Sequence, residues 1–189
     1  SSGIPKRFSK CSFDTYTASS AHQKAKLDSC IAYANNWEKV QQDGSCLVMI
    51  GSVGTGKTHL ASAIANHVME QSQSKVCFST ASEVVRMVRS AWDRGSDLSY
   101  DDIINNLAKV DLLVVDEIGV QLGTEAEKHT LFEVFNARYN NYRPTIVISN
   151  YNKGGIIEYL GHRVFDRLLD GNSSLLTFDW NSFRGSNHA

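Results

Sequence analysis

Residues 51–58 read Gly-Ser-Val-Gly-Thr-Gly-Lys-Thr and fit the phosphate-binding pattern G-x-x-x-x-G-K-[ST]. The pattern constrains the fold because its glycines let backbone N–H groups turn inward around a phosphate while a helix begins directly behind them. Lys57 supplies a mobile positive charge for the β- and γ-phosphate oxygens, and Thr58 offers a hydroxyl to Mg²⁺. We therefore expect ATP or ADP to bind here, against Gly51, Ser52, Val53, Gly54, Thr55, Gly56, Lys57, Thr58 and His59.

The flanking sequence has the strand–loop–helix order that such a loop needs. Residues 46–50, Cys-Leu-Val-Met-Ile, are apolar without polar alternation, which is typical of a buried parallel strand. After the loop, apolar residues recur at helical spacing: Leu60, Ala61, Ile64, Ala65 and Val68. The alternative, a Gly-rich turn between unrelated elements, does not account for this context.

Strands and helices alternate along the rest of the chain. The patterns predict strands at 75–79, 111–116, 144–149 and 174–179, and helices at 21–42, 57–71, 82–94, 99–109, 124–142 and 154–169. This alternation predicts a three-layer α/β fold, a five-stranded parallel sheet with helices on both faces. Residues 1–20 are polar and irregular, so we expect the domain to span 21–189.

Size, charge and cysteine spacing limit the class of protein. A chain of 189 residues with 42% hydrophobic content suits one domain with its own core. The net charge of −1 gives no general attraction to nucleic acid, so a nucleic-acid site must be a local patch. No run of 18 apolar residues predicts a membrane span. The widely spaced cysteines indicate free thiols in a reducing, cytoplasmic compartment: Cys11, Cys30, Cys46 and Cys77.

A second motif is an apolar strand that ends in two acids, Leu112-Leu-Val-Val-Asp116-Glu117. Carboxylates at the carboxyl end of a buried strand lie in the crevice where open α/β sheets bind ligands. We expect Asp116 to hold Mg²⁺, directly or through its water, and Glu117 to act as general base on the attacking water. The alternative is a strand that simply ends in a polar turn.

The distance between the two motifs refines the class. Thr58 and Asp116 lie 58 positions apart, and a strand–helix–strand unit takes roughly 30 residues. One additional strand therefore fits between them. An adjacent acid pair with an intervening strand favours ATPases whose water-activating glutamate follows the metal-binding aspartate, whereas small-molecule kinases usually lack that glutamate.

Asn150 is a candidate sensor of the nucleotide. It ends the strand Ile146-Val-Ile-Ser149, where a neutral amide can contact the γ-phosphate or the attacking water and report hydrolysis. An asparagine that closes a turn is the alternative, because asparagine tolerates turn conformations. The order of the motifs favours the sensor.

Arg163 and Arg167 lie four residues apart on one predicted helix. Its apolar stripe comprises Ile157, Leu160, Val164 and Leu168, so both arginines belong to a different, polar face. One interpretation is a solvated face with ion pairs to Asp166 and Asp170. The other is an arginine finger offered to a neighbour's ATP, worth ~10³–10⁵ in rate, which would make an isolated monomer a weak ATPase. Arg184 is a third candidate.

A candidate nucleic-acid patch lies on the predicted helix 82–94. Arg86 and Arg89 can meet phosphates, and a base can stack on Trp92, as in single-stranded DNA binding. However, Val85, Val88 and Trp92 follow i, i+3, i+7 spacing, which also suits a core position for the tryptophan. Ion pairs to the acids of this helix are another explanation of the arginines.

Five segments together carry a family resemblance. They are residues 51–58, the strand end Asp116-Glu-Ile-Gly-Val-Gln121, Ser149-Asn150, the segment Leu160-Gly-His-Arg-Val-Phe-Asp-Arg-Leu168 and the closing Asp179-Trp-Asn-Ser-Phe-Arg184. Over essentially its whole length the chain resembles the ATPase domain of DnaC-type replicative helicase loaders (IstB/DnaC-like), of the AAA+ class. The first motif is generic to that class, whereas 116–121 and 163–167 are more particular to these loaders.

The resemblance implies a P-loop NTPase fold of the AAA+/ASCE type without a C-terminal helical lid domain. Loaders of this type bind ATP, assemble side by side, contact single-stranded DNA and open the hexameric replicative helicase ring. Asn150 matches the family's sensor and Arg167 its finger, with Arg163 close by. The helix around Arg89 and Trp92 matches its DNA-contacting region. The family's N-terminal helicase-binding extension is expected to be absent from this chain.

Three other functions fit parts of the pattern. An IstB-type transposition helper ATPase shares the fold and motifs, and would bind a transposase instead of a helicase. A nucleotide-gated DNA-binding adaptor would bind ATP and hydrolyse it little, so Glu117→Gln would leave its function intact. A small-molecule kinase would need an acceptor pocket and a mobile lid, for which the sequence shows no pattern.

Overall fold

The computed structural model describes residues 2–91, 98–120 and 124–183 and contains one five-stranded sheet. The strands are β1 (Leu47–Gly51), β2 (Val76–Thr80), β3 (Leu112–Ile118), β4 (Thr145–Ser149) and β5 (Ser174–Phe178). They are ordered β2-β3-β4-β1-β5, and every neighbouring pair is parallel. The predicted five-stranded parallel sheet is confirmed, and β1, which leads into the phosphate loop, is an inner strand.

Helices cover both faces of this sheet. They are α1 (Ala21–Asn35), α2 (Trp37–Asp43), α3 (Lys57–Ser72), α4 (Ala81–Ser90), α5 (Tyr100–Lys109), α6 (Glu125–Asn140), α7 (Lys153–Leu160) and α8 (His162–Leu168). Alternate residues of β1 enter different cores: Leu47 and Met49 pack with α1 and α3, whereas Val48 and Ile50 pack with α4 to α8. The three-layer arrangement follows from this alternation.

Two predicted helices are each broken in two. The prediction for 21–42 missed a break at Asn36, which leaves the helical region (φ −95°, ψ 28°) between α1 and α2. The prediction for 154–169 missed a break at Gly161, whose φ of 82° is open to glycine but disfavoured for other residues. Apolar spacing cannot reveal such breaks when both halves bury a face against the same core.

Side-chain caps set several helix starts. The Ser99 hydroxyl accepts from the Asp102 N–H, and the Asp102 carboxylate accepts from the Ser99 N–H, which together form a capping box at the start of α5. At α6 the Thr124 hydroxyl accepts from the Glu127 N–H, but the Glu127 carboxylate accepts from the hydroxyl of Tyr159 instead. That carboxylate therefore joins α6 to α7.

Arg138 is fully buried at the amino-end edge of the sheet. Its guanidinium donates to Thr145 Oγ1 and to the carbonyls of Leu107, Val110 and Pro144 over 2.6–3.0 Å. Burial lowers the pKa of Arg138 to about 10, so the group stays charged at neutral pH. It ties the end of α6 to the end of α5 and to the start of β4.

The segment 2–20 lies across the domain and includes a short 3-10 helix, Lys6–Phe8. The Ser2 carbonyl accepts a hydrogen bond of 2.7 Å from the Phe78 N–H on the edge strand β2. Tyr16, 8% exposed, joins the core beside α1 and α3. Within the described ranges, no helix combines the length and apolar character needed to cross a bilayer.

Candidate nucleotide site

The loop between β1 and α3 has the backbone that phosphate binding requires. Gly51, Gly54 and Gly56 adopt φ values of 124°, 76° and 93°, which side chains disfavour. A Cβ at Gly51 would lie 2.1 Å from the Phe178 carbonyl oxygen, and one at Gly56 would lie 2.5 Å from Cε2 of Tyr16. These glycines therefore serve both the curvature of the loop and the close approach of its neighbours.

Lys57 begins α3 and is held against the loop. It is 4% exposed, and its ammonium donates to the carbonyls of Gly51 (2.7 Å) and Ser52 (2.6 Å). Thr55 Oγ1 lies 3.4 Å from the same Nζ atom and donates to the Ser52 carbonyl. The positive charge is thus placed beneath the loop at the first turn of α3, where the helix dipole also favours anions.

Thr58 and Asp116 meet at this edge of the sheet. The Thr58 hydroxyl donates to Asp116 Oδ2 over 2.8 Å. Asp116 is 8% exposed, and burial raises the pKa of its carboxyl. Hydrogen bonds from Thr58 and from the Glu117 N–H, together with the charge of Lys57, act in the opposite direction. The structure therefore brings together the two residues that the sequence assigned to Mg²⁺.

A bulge in β3 turns both acids toward one cavity. In a regular strand, adjacent side chains point to opposite faces, but the pairing of β3 with β4 shifts between Val115 and Ile118. Glu117 has a left-handed φ of 60°, and its N–H donates to Asp116 Oδ1 over 2.7 Å. As a result both carboxylates line the same cavity as the loop.

This cavity has a volume of about 500 Å³ and opens at the carboxyl ends of the strands. The phosphate loop, Asp116, Glu117 and Asn150 all contribute to its wall. Asn150 follows β4 directly and is exposed. Size, position and charge suit a nucleoside triphosphate, since ligands of open α/β sheets bind at the carboxyl ends of the strands.

Part of the cavity wall comes from residues to which sequence reasoning assigned no role in the site. Arg7, Phe8, Thr15, Tyr16 and Thr17 of the N-terminal segment line it, and Phe183 closes it from the other end of the chain. The Tyr16 ring meets His59 and Phe183 edge-on, at centroid distances of 5.6 and 5.9 Å. The Phe183 N–H donates to the Gly54 carbonyl over 2.9 Å.

His59 links the N-terminal segment to the start of α3. Its Nε2 lies 3.0 Å from Thr15 Oγ1 and 3.2 Å from the Ser12 carbonyl. Sequence reasoning did not predict these contacts. Their position depends on where the chain crosses the loop, which no local pattern encodes.

Two of the three candidate finger residues lie on α8, outside the cavity wall. Arg163 is exposed, whereas Arg167 is half-buried and donates to Asn136 Oδ1. In the part of the chain that the structure describes, neither forms an ion pair with Asp166 or Asp170, which was considered as an alternative. Arg184 lies outside the described residues.

Helix α4 presents its arginines to solvent. Arg86 and Arg89 are exposed on one face, while Val85 and Val88 are buried on the other. Among the described residues neither arginine makes an ion pair, and the nearby Glu83 carboxylate caps α4 by accepting from the Thr80 N–H over 2.8 Å. Trp92 lies outside the described residues.

The donor set at Thr58 and Asp116 fits Mg²⁺. This ion is commonly held by one or two carboxylates together with substrate phosphates, and it keeps several waters. The hydroxyl and carboxylate, 2.8 Å apart at the cavity wall, are both hard oxygen donors. The cost of burying the carboxylate, seen in its raised pKa, would be offset by a divalent cation.

The family model and similar curated relatives point to the same family of proteins. The family model described as IstB-like ATP binding protein matches residues 6–187. The replicative helicase loader DnaC of Buchnera aphidicola (subsp. Baizongia pistaciae) is 34% identical over 187 residues, covering 99% of this chain and 74% of the relative. The same loader from Escherichia coli K12 is 34% identical over 183 residues, covering 97% of this chain and 73% of the relative.

The fold matches as well. A crystal structure of the DnaC helicase loader superposes with a TM-score of 0.82 at 23% identity, covering 92% of this chain and 99% of that one. The expected AAA+ P-loop architecture is thereby confirmed. The family model and the relatives match nearly the whole length of the chain, including the phosphate loop and the paired acids. This chain therefore belongs to the IstB/DnaC-like family of ATP-binding proteins.

Proposed function

We propose that this protein is an ATP-hydrolysing helicase loader domain that acts in DNA replication. The observation that carries the ATPase part of this proposal is the convergence of Thr58, Asp116 and Glu117 on the wall of one cavity beside the phosphate loop. Binding alone would need the loop and a cation site. A second carboxylate, turned into the same cavity by a backbone bulge, supports hydrolysis in addition.

Each residue of the site has its own role in ATP binding and hydrolysis. Backbone N–H groups of 51–56 and the Lys57 ammonium hold the phosphates, while Thr58 and Asp116 would hold Mg²⁺, which neutralises phosphate charge when bound. Glu117 accepts a proton from the attacking water, whose oxygen bonds to the γ-phosphorus as the bond to the bridging oxygen breaks and ADP leaves. Asn150 orients that water or contacts the γ-phosphate.

The proposed partner is a replicative helicase. The chain is 34% identical to DnaC proteins of two species named as replicative helicase loaders, and the resemblance extends through the 160–168 segment on α7 and α8. In this proposal ATP orders neighbouring copies, and hydrolysis releases the loader once DNA is engaged. Contact with the helicase would run through an N-terminal extension of the kind that these loaders carry.

Arg167 would complete a neighbour's site in trans, with Arg163 beside it. Two observations support this: both lie on α8, outside the wall of their own chain's cavity, and Arg163 is exposed. Because each site would then need a second copy, the isolated monomer should be a weak ATPase. Single-stranded DNA would lie along α4, where Arg86 and Arg89 share an exposed face.

Nucleotide titration and turnover test the site. Wild-type protein should bind Mg·ATP, Lys57→Ala should bind it weakly, and Glu117→Gln should bind normally but hydrolyse roughly 10²–10⁴-fold more slowly. Absence of ATP binding by the wild type would refute the phosphate-loop assignment. Unchanged turnover by Glu117→Gln would refute the general-base role and favour a nucleotide-gated adaptor.

Pull-down of the full-length protein from its host identifies the partner. Glu117→Gln with ATP should hold the complex, and Lys57→Ala provides the matched control that cannot form it. Recovery of the replicative helicase with the first variant and not the second supports a loader. Recovery of a transposase would instead assign the protein to transposition.

A further inference from the structure

The guanidinium of Arg167 lies in a cradle built by α6. Asn136 and Tyr139, nearly one helical turn apart, contact it from the same side. Asn136 Oδ1 accepts a hydrogen bond from the guanidinium, and Cζ of Arg167 lies 5.2 Å from the centroid of the Tyr139 ring. One contact is directional and the other is a cation–π contact, so together they restrain both the position and the tilt of the group.

Tyr139 is itself held in place. Its hydroxyl donates to Asp170 Oδ2 over 2.8 Å, two residues after the end of α8. Tyr139 belongs to the last turn of α6 and is 40% exposed. A surface aromatic with both ends fixed is a stable platform for a cation.

The cradle leaves most of the guanidinium available. An arginine has five N–H donors, and one is used by Asn136 among the residues that the structure describes. Arg167 lines a small cleft between α6 and α8 and is only half-buried, so part of the side chain stays accessible to an anion that arrives from a neighbouring copy. Arg163, on the same helix, has no comparable support among those residues.

We propose that Asn136 and Tyr139 are positioning residues that hold Arg167 ready for the phosphates of a neighbouring molecule. The inference rests on the proposed function, in which Arg167 acts in trans. Pre-arranging a rotamer-rich side chain lowers the entropy lost when it engages the transition state. Loosening the cradle should therefore reduce the catalytic rate and leave the affinity for ATP unchanged.

A mixing experiment separates the contribution of the arginine from that of the nucleotide site. Lys57→Ala protein carries an intact arginine without a working nucleotide site, and Arg167→Ala protein carries an intact nucleotide site without the arginine. Each should be nearly inactive alone. An equimolar mixture should recover roughly a quarter of the wild-type rate, because that share of head-to-tail interfaces pairs one protein's arginine with the other's site.

Asn136→Ala is then placed on one side of the mixture at a time. In the Lys57→Ala partner it should lower the recovered rate roughly 3- to 10-fold. In the Arg167→Ala partner it should change nothing. Tyr139→Leu should behave in the same way, and Asn140→Ala, an exposed neighbour on α6, is the matched control. The Kd for ATP of the Arg167→Ala partner should stay constant throughout.

The outcomes are distinguishable. If the parent mixture stays inactive, Arg167 does not act in trans, and both the finger and its cradle are refuted. If the mixture recovers and Asn136→Ala and Tyr139→Leu in the Lys57→Ala partner have no effect, the cradle is refuted while the finger stands. If they lower the rate equally from either side, their role is general stability, which also overturns the inference.

Discussion

The Thr58 hydroxyl donates to Asp116 Oδ2 over 2.8 Å, joining two residues that lie 58 positions apart in the sequence. The contact brings the first helical turn after the phosphate loop to the carboxyl end of β3, which is separated from β1 by β4 in the sheet. It also leaves a buried carboxylate whose main counter-charge would arrive with Mg·ATP. This relationship makes nucleotide binding and stability depend on the same group.

Replacing that carboxylate with an amide should separate the two effects. Burial raises the pKa of Asp116, so at neutral pH the ionised group reduces stability, and this penalty disappears as the pH falls through the raised pKa. Asp116→Asn should therefore raise the Tm of the nucleotide-free protein by roughly 2–4 °C, equivalent to about 1 kcal/mol. It should also abolish the further rise that Mg·ATP gives the wild type.

Thermal unfolding at several pH values, with and without Mg·ATP, checks this prediction. Wild-type affinity for Mg·ATP should fall as the pH drops through the raised pKa, because protonation removes the cation ligand. The variant should show no such step. A lower Tm for nucleotide-free Asp116→Asn would contradict the argument, since it would mean that the carboxylate stabilises the empty fold.

Tyr16 should contribute to ATP binding through its ring and not through its hydroxyl. The ring packs on the phosphate loop at Gly56 and against Phe183, whereas the hydroxyl lies 3.4 Å from the Thr55 carbonyl, a long hydrogen bond. Tyr16→Phe should therefore change the Kd for ATP by less than about twofold. Tyr16→Ala should weaken binding roughly tenfold and destabilise the fold by about 3–5 kcal/mol.

Calorimetric titration and urea unfolding measure both quantities. Titrations are made well below the unfolding midpoint of Tyr16→Ala, so that loss of affinity cannot reflect unfolded protein. Tyr16→Phe is the matched control because it keeps the ring. Unchanged ATP affinity in Tyr16→Ala would show that the N-terminal segment covers the loop without contributing to the site.

The contrast between Thr58 and Tyr16 shows what the sequence could predict. The phosphate loop, Asp116 and Glu117 were found because their chemistry requires certain residue types at certain spacings, and strand order then brings them together. Tyr16 and Phe183 reach the loop from opposite ends of the chain. Their chemistry is ordinary packing, so no spacing rule distinguishes them before the chain path is known.

The course of the helices was predicted only in part, for a related reason. Apolar residues at helical spacing identified α3, and continuous apolar runs identified the buried strands, because burial determines both patterns. The helical spacing continued through Asn36 and Gly161, where the chain turns while still packing on the same core. Gly161 adopts a positive φ because the backbone changes direction there. The spacing of apolar side chains carries no information about that change.

Single-stranded DNA binding by α4 predicts a specific salt dependence. Each phosphate contact that Arg86 and Arg89 make should contribute about 0.7 to the slope of log affinity against log salt concentration. Arg86→Ala/Arg89→Ala should therefore lower the magnitude of that slope by roughly 1.4. Basal ATP turnover without DNA should not change, because both side chains lie outside the cavity wall.

Fluorescence anisotropy with an oligonucleotide, across a series of salt concentrations, gives the slope. Lys24→Ala/Lys39→Ala removes the same positive charge from α1 and α2, where both lysines are exposed and paired with acids. This control should leave the slope nearly unchanged. Equal slopes for the two double variants would mean that α4 makes no special contact with DNA.

Gly119 and Tyr151 should be strongly coupled, because a side chain at one position occupies the space of the other. Gly119 has a φ of 85°, and a Cβ there would lie 2.0 Å from Cε2 of Tyr151. Gly119→Ala should therefore cost roughly 2–4 kcal/mol, of which backbone strain accounts for about 1 kcal/mol and overpacking for the rest.

Gly171 offers the matched control for the backbone contribution: its φ is 61°, and a Cβ there would meet nothing within 4 Å. Gly171→Ala should cost about 1 kcal/mol. In urea unfolding, a Tyr151→Ala background should remove the overpacking at position 119, giving a coupling energy of roughly 1–3 kcal/mol in a double-mutant cycle. Gly119 lies two residues after Glu117, and Tyr151 directly follows Asn150, so the contact joins two edges of the nucleotide site. If the free-energy changes of the two substitutions were simply additive, the two residues would not be packed against each other as the structure shows.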